Sequence, residues 1–257
     1  MRATRTYTVM LILANVVGGL AFLWPFVVPF EQGEVDAHGP DGLLILAVLL
    51  TCLGGLLFLE LGRGGMGPKA VALIGVLGAA MVALRLPGYV LGFSAMFVVV
   101  LIAGNALGPG FGFLLGAIGT FASGLFVGGL GPWLPFQMVA VGWMGLGAGL
   151  MPRKGGWPLR LGALAAYGFV TGFLFGAIMN LWSWPFLIGG DSAISWIPGD
   201  PAGENLGNYW RYYLTTSFAW DSFRAVGNVA LVLLLGRPLL GALDRAAHRM
   251  NFETSPS

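Results

Sequence analysis

The sequence predicts an all-α polytopic membrane protein, on three observations. Charged residues make up 9% of the 257-residue chain and hydrophobic residues 57%, where a soluble domain carries about 25% charge. The mean hydropathy is +0.82. So few charges cannot coat a globular surface of this size, which excludes a soluble enzyme, and the high apolar fraction excludes a disordered chain. The apolar residues also run continuously rather than alternating, which selects helices over a β-barrel. The 43 glycines follow no Gly-X-Y period, and close helix packing in a bilayer accounts for them. The single Cys52 excludes an intramolecular disulfide and a cysteine-held metal or iron–sulfur cluster. A net charge of +2 gives no reason to expect a nucleic-acid partner.

Crossing about 30 Å of hydrocarbon takes roughly 20 residues. Eight apolar runs reach or approach that length: Tyr7–Val28, Leu43–Leu61, Ala70–Leu86, Tyr89–Leu107, Phe111–Leu130, Leu134–Met151, Leu161–Ile188 and Leu214–Gly236. The first follows the basic Arg2 and Arg5. It is too long for a signal-peptide core and ends without a small-residue cleavage site, so it reads as a retained helix. The seventh is longer than one straight span needs.

Ten of the 13 basic residues fall on one side of this arrangement: Arg2, Arg5, Arg63, Lys69, Arg153, Lys154, Arg160, Arg237, Arg245 and Arg249. The other side carries Glu31, Glu34, Asp36, Asp41, Asp191, Asp200 and Glu204 against Arg85 and Arg211. The positive-inside rule then puts both termini in the cytoplasm. The loops Phe30–Gly42, Pro87–Gly88, Gly131–Trp133 and Gly189–Tyr213 face outward. Trp24, Trp133, Trp182, Trp184, Trp196, Trp210 and Trp220 lie in the outward half. An interfacial belt accounts for some of them; the excess around the last two outward loops offers walls for a pocket open to the outside.

Two decoys are set aside. Gly62–Gly67 fits G-x-G-x-x-G, but no strand precedes it and Pro68 stands where a phosphate loop needs its lysine, so it is a glycine-rich turn. His38 and His248 lie on opposite sides of the membrane and cannot share a metal. No HExxH, GxSxG or paired intramembrane carboxylates occur, and no catalytic site is expected.

The informative residues are polar ones inside apolar runs, where an ionisable group costs about 2.5–3.5 kcal/mol at mid-bilayer. Asp221, Arg224 and Asn228 follow i, i+3, i+7 spacing and share a helix face. Counted from Leu214 they lie roughly 10, 15 and 21 Å deep. Asp221 and Arg224 can neutralise each other, with Asn228 serving Arg224. This is either an ion pair that fixes packing or support for a polar substrate or a switch. Gln137 follows the rigid Gly131-Pro132-Trp133-Leu134-Pro135 entry to its helix. Asn180 lies about 12 Å from the outward end of its helix, and Arg85 ends the third. Together they outline a pocket of amides and aromatics, suited to a neutral or amide-bearing solute. Gly75, Ala79 and Ala83 form a small-residue stripe that permits close approach of another helix, internal or from a partner.

From about Lys69 to Arg249 the chain resembles a substrate-binding S component of an energy-coupling factor (ECF) vitamin transporter. The stripe Gly75/Ala79/Ala83 is similar to the family's AxxxA-type motif. Leu107-Gly108-Pro109-Gly110-Phe111-Gly112 resembles the linkage between its second and third helices, and Gly128–Met138 the outward turn before its fourth. Asn180-Leu181-Trp182-Ser183-Trp184-Pro185 and Thr216-Ser217-Phe218-Ala219-Trp220-Asp221 resemble signatures of the last two helices in the cobalamin-related actinobacterial subgroup.

The resemblance implies a six-helix core over residues 67–250, two additional helices within 1–66 and a cytoplasmic tail at 251–257. It implies a vitamin-binding subunit of an ABC importer, for cobalamin or a related corrinoid, in the bacterial cell membrane. The partners would be a transmembrane coupling protein and two ABC ATPases; these use ATP, and the chain itself binds no cofactor. Gly75, Ala79 and Ala83 would dock on the coupling protein. Trp133, Gln137, Asn180, Trp184, Trp196 and Asp221, with Arg224, Asn228 and Arg85, would serve the substrate, and the outward loops would gate it. Capture outside, toppling in the bilayer and inward release would follow. The alternatives are a proton-coupled secondary transporter using Asp221/Arg224, and a scaffold without ligand.

Overall fold

Apolar sequence with few breakers becomes helix almost throughout. The computed structural model describes residues 5–27, 39–62, 68–86, 88, 94–186 and 193–252. Among them are nine α-helices and no strand. They are α1 (Arg5–Leu23), α2 (Gly39–Gly62), α3 (Pro68–Arg85), α4 (Met96–Leu107), α5 (Pro109–Ser123), α6 (Leu134–Leu150), α7 (Gly156–Ser183), α8 (Ala202–Thr216) and α9 (Phe218–Phe252). Four stretches are long and apolar enough to cross a membrane: Thr8–Phe26, Pro109–Gly128, Gly156–Phe186 and Phe218–His248. Gly42–Gly55, Met96–Leu107 and Leu134–Leu150 are shorter apolar helices.

The centre is built from α4, α5 and α6, held close by glycine. A Cβ on Gly116 would stand 2.8 Å from the Gly142 nitrogen, so side chains are excluded where α5 crosses α6. The α4–α5 reversal takes one residue: Gly108 has φ 109°, where a side chain is strained, and Pro109 starts the next helix.

A second glycine ridge joins α7 to α9. Gly168, Gly172 and Gly176 fall four residues apart, and a Cβ on Gly172 would lie 2.6 Å from the Ala225 Cα. Three polar residues of α9 each meet one step of this ridge. Asp221 packs on Gly176, Arg224 Nη1 donates to the Gly172 carbonyl at 3.1 Å, and Asn228 Nδ2 to the Gly168 carbonyl at 3.0 Å. Asn228 therefore serves the α7 backbone, not Arg224 as expected.

The two N-terminal helices pack on this body at α6 and α7. Gly18 abuts the Val139 side chain, Trp143 Nε1 donates to Asn15 Oδ1 at 2.6 Å, and Phe22 meets Phe136 edge-on at 5.0 Å.

Three expectations change. The outward loop expected over Gly189–Tyr213 contains α8, because Leu206, Tyr209, Trp210, Tyr213 and Leu214 recur at helical period behind Pro201 and Glu204. The last membrane helix begins at Phe218 rather than Leu214, beyond a break at Ser217, and runs to Phe252 through an internal Pro238. Asp221, Arg224 and Asn228 then lie about 5, 9 and 15 Å along it. Arg160, counted as a loop charge, belongs to α7 and is 7% exposed. The loop at 28–38 with His38, the glycine-rich turn at 63–67, the start of the fourth expected span at 89–93, residues 187–192 and Arg2 lie outside the described residues.

Candidate functional site

Near the junction of α3 with the α4 start, α3, α4, α5, α6, α7 and α9 converge on a cavity of about 220 Å³. Its walls include Arg85 (α3), Phe97 (α4), Thr120 (α5), Gln137 and Val141 (α6), Phe175 (α7) and Arg224 (α9), with Ser94 ahead of α4.

Arg85 is fixed from two neighbouring helices. Nη1 donates to Ser123 Oγ at 2.7 Å and Nη2 to Gln137 Oε1 at 3.2 Å. Its guanidinium lies against Gly128, where a Cβ would come within 2.6 Å of Cζ. Gly128 ends a π-helical turn, Gly124–Gly128, that closes α5; such turns recur at functional sites. Beside it Ser123 Oγ donates to the Thr120 carbonyl at 3.0 Å. The Thr120 hydroxyl is buried and has no hydrogen-bond partner among the described residues.

Arg224 forms the expected ion pair with Asp221, which is 1% exposed. The guanidinium also lies over two rings, 5.5 Å from the Phe97 centroid and 4.8 Å from that of Phe175. The negative faces of the rings attract the cation electrostatically.

Of the residues read from the sequence, Arg85, Gln137 and Arg224 line this cavity, and Asp221 stands behind Arg224. The others lie elsewhere. Asn180, in the last turn of α7, exchanges hydrogen bonds of 2.8 and 3.0 Å with Ser217 and ties that turn to the α8–α9 corner. Trp184 is buried; Nε1 donates to the Ile194 carbonyl at 2.8 Å, and its ring packs on Trp196 at 5.6 Å and Tyr209 at 5.1 Å. These rings bind α8 to the end of α7, where the Tyr209 hydroxyl also donates to the Ala177 carbonyl. Burial foremost, then the Asp221 carboxylate, raises the Tyr209 phenol above its ordinary range, so it remains a donor. Trp133 meets Trp182 at 6.3 Å.

Thr120, Phe97, Phe175 and Ser94 went unread in the sequence. Thr120 and Ser123, hydroxyls three apart in an apolar run, were a signal; the phenylalanines carried none. Also unread was a clasp at the opposite end of the bundle. Arg160 grips Asp244 with two hydrogen bonds of 2.6 and 3.0 Å and donates from Nε to Asn105 Oδ1 at 2.7 Å. Asn105 in turn donates to the Ala148 and Met151 carbonyls.

Gly75, Ala79 and Ala83 are exposed on α3, and a Cβ at Gly75 would meet nothing within 4 Å. The buried face of α3 is Ile74, Gly78 and Met81.

Six helices of the bundle, α3 to α7 and α9, thus meet at one cavity of mixed polar and apolar lining. The sequence family described as ECF transporter, substrate-specific component, matches residues 69–236, and the chain belongs to it. No curated protein and no solved structure matches the chain. As a substrate-specific component it is a membrane-embedded, substrate-binding transport subunit rather than an enzyme, and it associates with an ECF module of ABC ATPases and a transmembrane coupling protein.

Proposed function

We propose that the chain captures a compact, vitamin-sized solute in the Arg85–Gln137–Arg224 cavity and delivers it to the ECF module. One observation carries this reading: six helices of the matched segment, α3 to α7 and α9, all contribute walls to one cavity. The added helices α1 and α2 supply none of its described lining. The opposite end carries Arg153, Lys154, Arg237 and Arg245, which favours the cytoplasm, so the cavity faces outward in an eight-span arrangement with both termini inside. The open stripe Gly75/Ala79/Ala83 is the docking face for the coupling protein. The Trp184–Trp196–Tyr209 cluster is a roof over the outward end rather than a stacking wall.

The cavity volume of about 220 Å³ is below the range of about 300–1,000 Å³ usual for drug-sized ligands. A corrinoid, expected from the subgroup resemblance, is larger than that range and is the competing reading. The test is mass spectrometry of the small molecule that co-purifies with the full chain, with titration of that molecule and of cobalamin. A compact solute whose binding weakens about tenfold or more in Gln137→Ala and Thr120→Val is expected. Submicromolar cobalamin binding, indifferent to both substitutions, would overturn it.

A further inference from the structure

We propose that the end of the bundle opposite the cavity seats the headgroup phosphate of an anionic phospholipid between Arg237 and Arg245, on the seam of α7 and α9. This needs only that both helices cross the membrane, and it stands or falls apart from the cavity. Trp157, in the first turn of α7, lies between two guanidiniums, Arg160 at 5.7 Å from its ring centroid and Arg237 at 5.8 Å. Arg160 is spent, since both Nη atoms hold Asp244 and Nε holds Asn105. Arg237 is exposed and makes no hydrogen bond or ion pair among the described residues. Arg245 is exposed and equally without a counter-ion among them, because its neighbour Asp244 is taken by Arg160. A Cβ on Gly241 would stand 3.5 Å from Arg245 Nη1, so this side chain runs back a turn along α9 toward Arg237.

Depth decides which anion these cations meet. The membrane stretch of α9 begins at Phe218; Arg237 lies about 29 Å along it and Gly241 about 35 Å. Hydrocarbon about 30 Å thick ends there and the headgroups follow, so both guanidiniums stand at the level of lipid phosphates. An indole at that level is an interfacial anchor, and here the face of its ring also holds Arg237. α7 opens on the same turn with no side chain capping its first N–H groups, and such a terminus favours an anion. A guanidinium matches a phosphate bidentately. A zwitterionic headgroup brings its own cation and would leave the two arginines unneutralised, whereas phosphatidylglycerol brings a net negative charge. Each arginine near the surface is worth about fivefold in affinity for an acidic lipid.

The experiment uses the full chain in detergent, with phosphatidylglycerol and phosphatidylcholine of identical acyl chains added in equal amounts. Native mass spectrometry and thermal shift read binding. Phosphatidylglycerol is expected to bind about tenfold or more tightly, and to lose most of that preference at high salt. Arg237→Gln and Arg245→Gln should each lower the preference about fivefold, and the double variant should remove it. Both side chains are exposed, so the double variant should unfold as the parent chain does without lipid; should it not fold, the single variants carry the test. Arg237→Lys/Arg245→Lys keeps the charge and should keep the preference. Arg211→Gln, at an exposed arginine of α8, should leave it unchanged. Equal binding of the two lipids, a preference that survives the double glutamine variant, or an equal loss in Arg211→Gln would each overturn the proposal. A double variant that keeps its lipid preference but no longer co-purifies with the ECF module would overturn it too, and give the surface to an acidic protein partner.

Discussion

Asp221 shows how one residue is held by packing, charge and chain reversal together. It lies in the first turn of α9, almost fully buried on Gly176 and paired with Arg224. At a helix N-terminus its carboxylate also meets the favourable end of the helix dipole. Asp221→Asn leaves Arg224 a buried charge without its counter-ion, which costs about 3–5 kcal/mol. Asp221→Asn/Arg224→Gln removes both charges and should cost less, measured as thermal unfolding in detergent. A double variant as unstable as the single one would show that Asp221 acts through something other than charge. The pairing was legible, since i, i+3 spacing alone brings the two side chains together. Depth was not legible: Thr216 and Ser217 do not announce a break inside a polar-aromatic stretch. Neither was the partner of Asn228, because a backbone carbonyl on another helix leaves no mark in the sequence.

At the scale of the element, the α7–α9 contact decides whether the arginine reaches the cavity at all. The ridge Gly168, Gly172, Gly176 lets α9 approach until its polar side chains reach the α7 backbone. Gly172→Ala would place a Cβ 2.6 Å from the Ala225 Cα. Backbone cannot yield as a flexible side chain can, and overpacking of this kind costs about 1–3 kcal/mol. At Gly207, in the middle of α8, a Cβ meets nothing within 4 Å, and Gly207→Ala should stabilise by about 0.5–1 kcal/mol through helix propensity. Thermal unfolding of the two variants should therefore move in opposite directions, and Gly172→Ala should also weaken solute binding. Gly172→Ala as stable as the parent chain would mean that α9 is not held by this ridge. The ridge and the α8 periodicity were both readable as spacing. What spacing could not say is which helix the ridge faces, because i, i+4 small residues fit any neighbour.

For the whole molecule, the question is which surface remains for the coupling protein once two extra helices have been added. The α1–α2 hairpin is seated on α6, through Gly18 against Val139 and Asn15 against Trp143. α3 uses its other face, where Gly78 lies close to Gly119 and Met81 is buried on the same contact. Gly75, Ala79 and Ala83 are therefore left exposed among the described residues. Lipid gives small residues no reason to line up, since acyl chains pack equally well on leucine, whereas a second helix gains close van der Waals contact from them. Ala79→Trp should abolish co-purification with the coupling protein in a co-expressed ECF module, while unfolding temperature and solute binding stay as in the parent chain. Gly78→Trp is the opposite case: its side chain would enter the α3–α5 contact, so the bundle itself should fail. If Ala79→Trp also unfolds the protein, the stripe packs within the chain. If Ala79→Trp is stable and still co-purifies, the coupling protein docks elsewhere, and the hairpin becomes the next surface to probe.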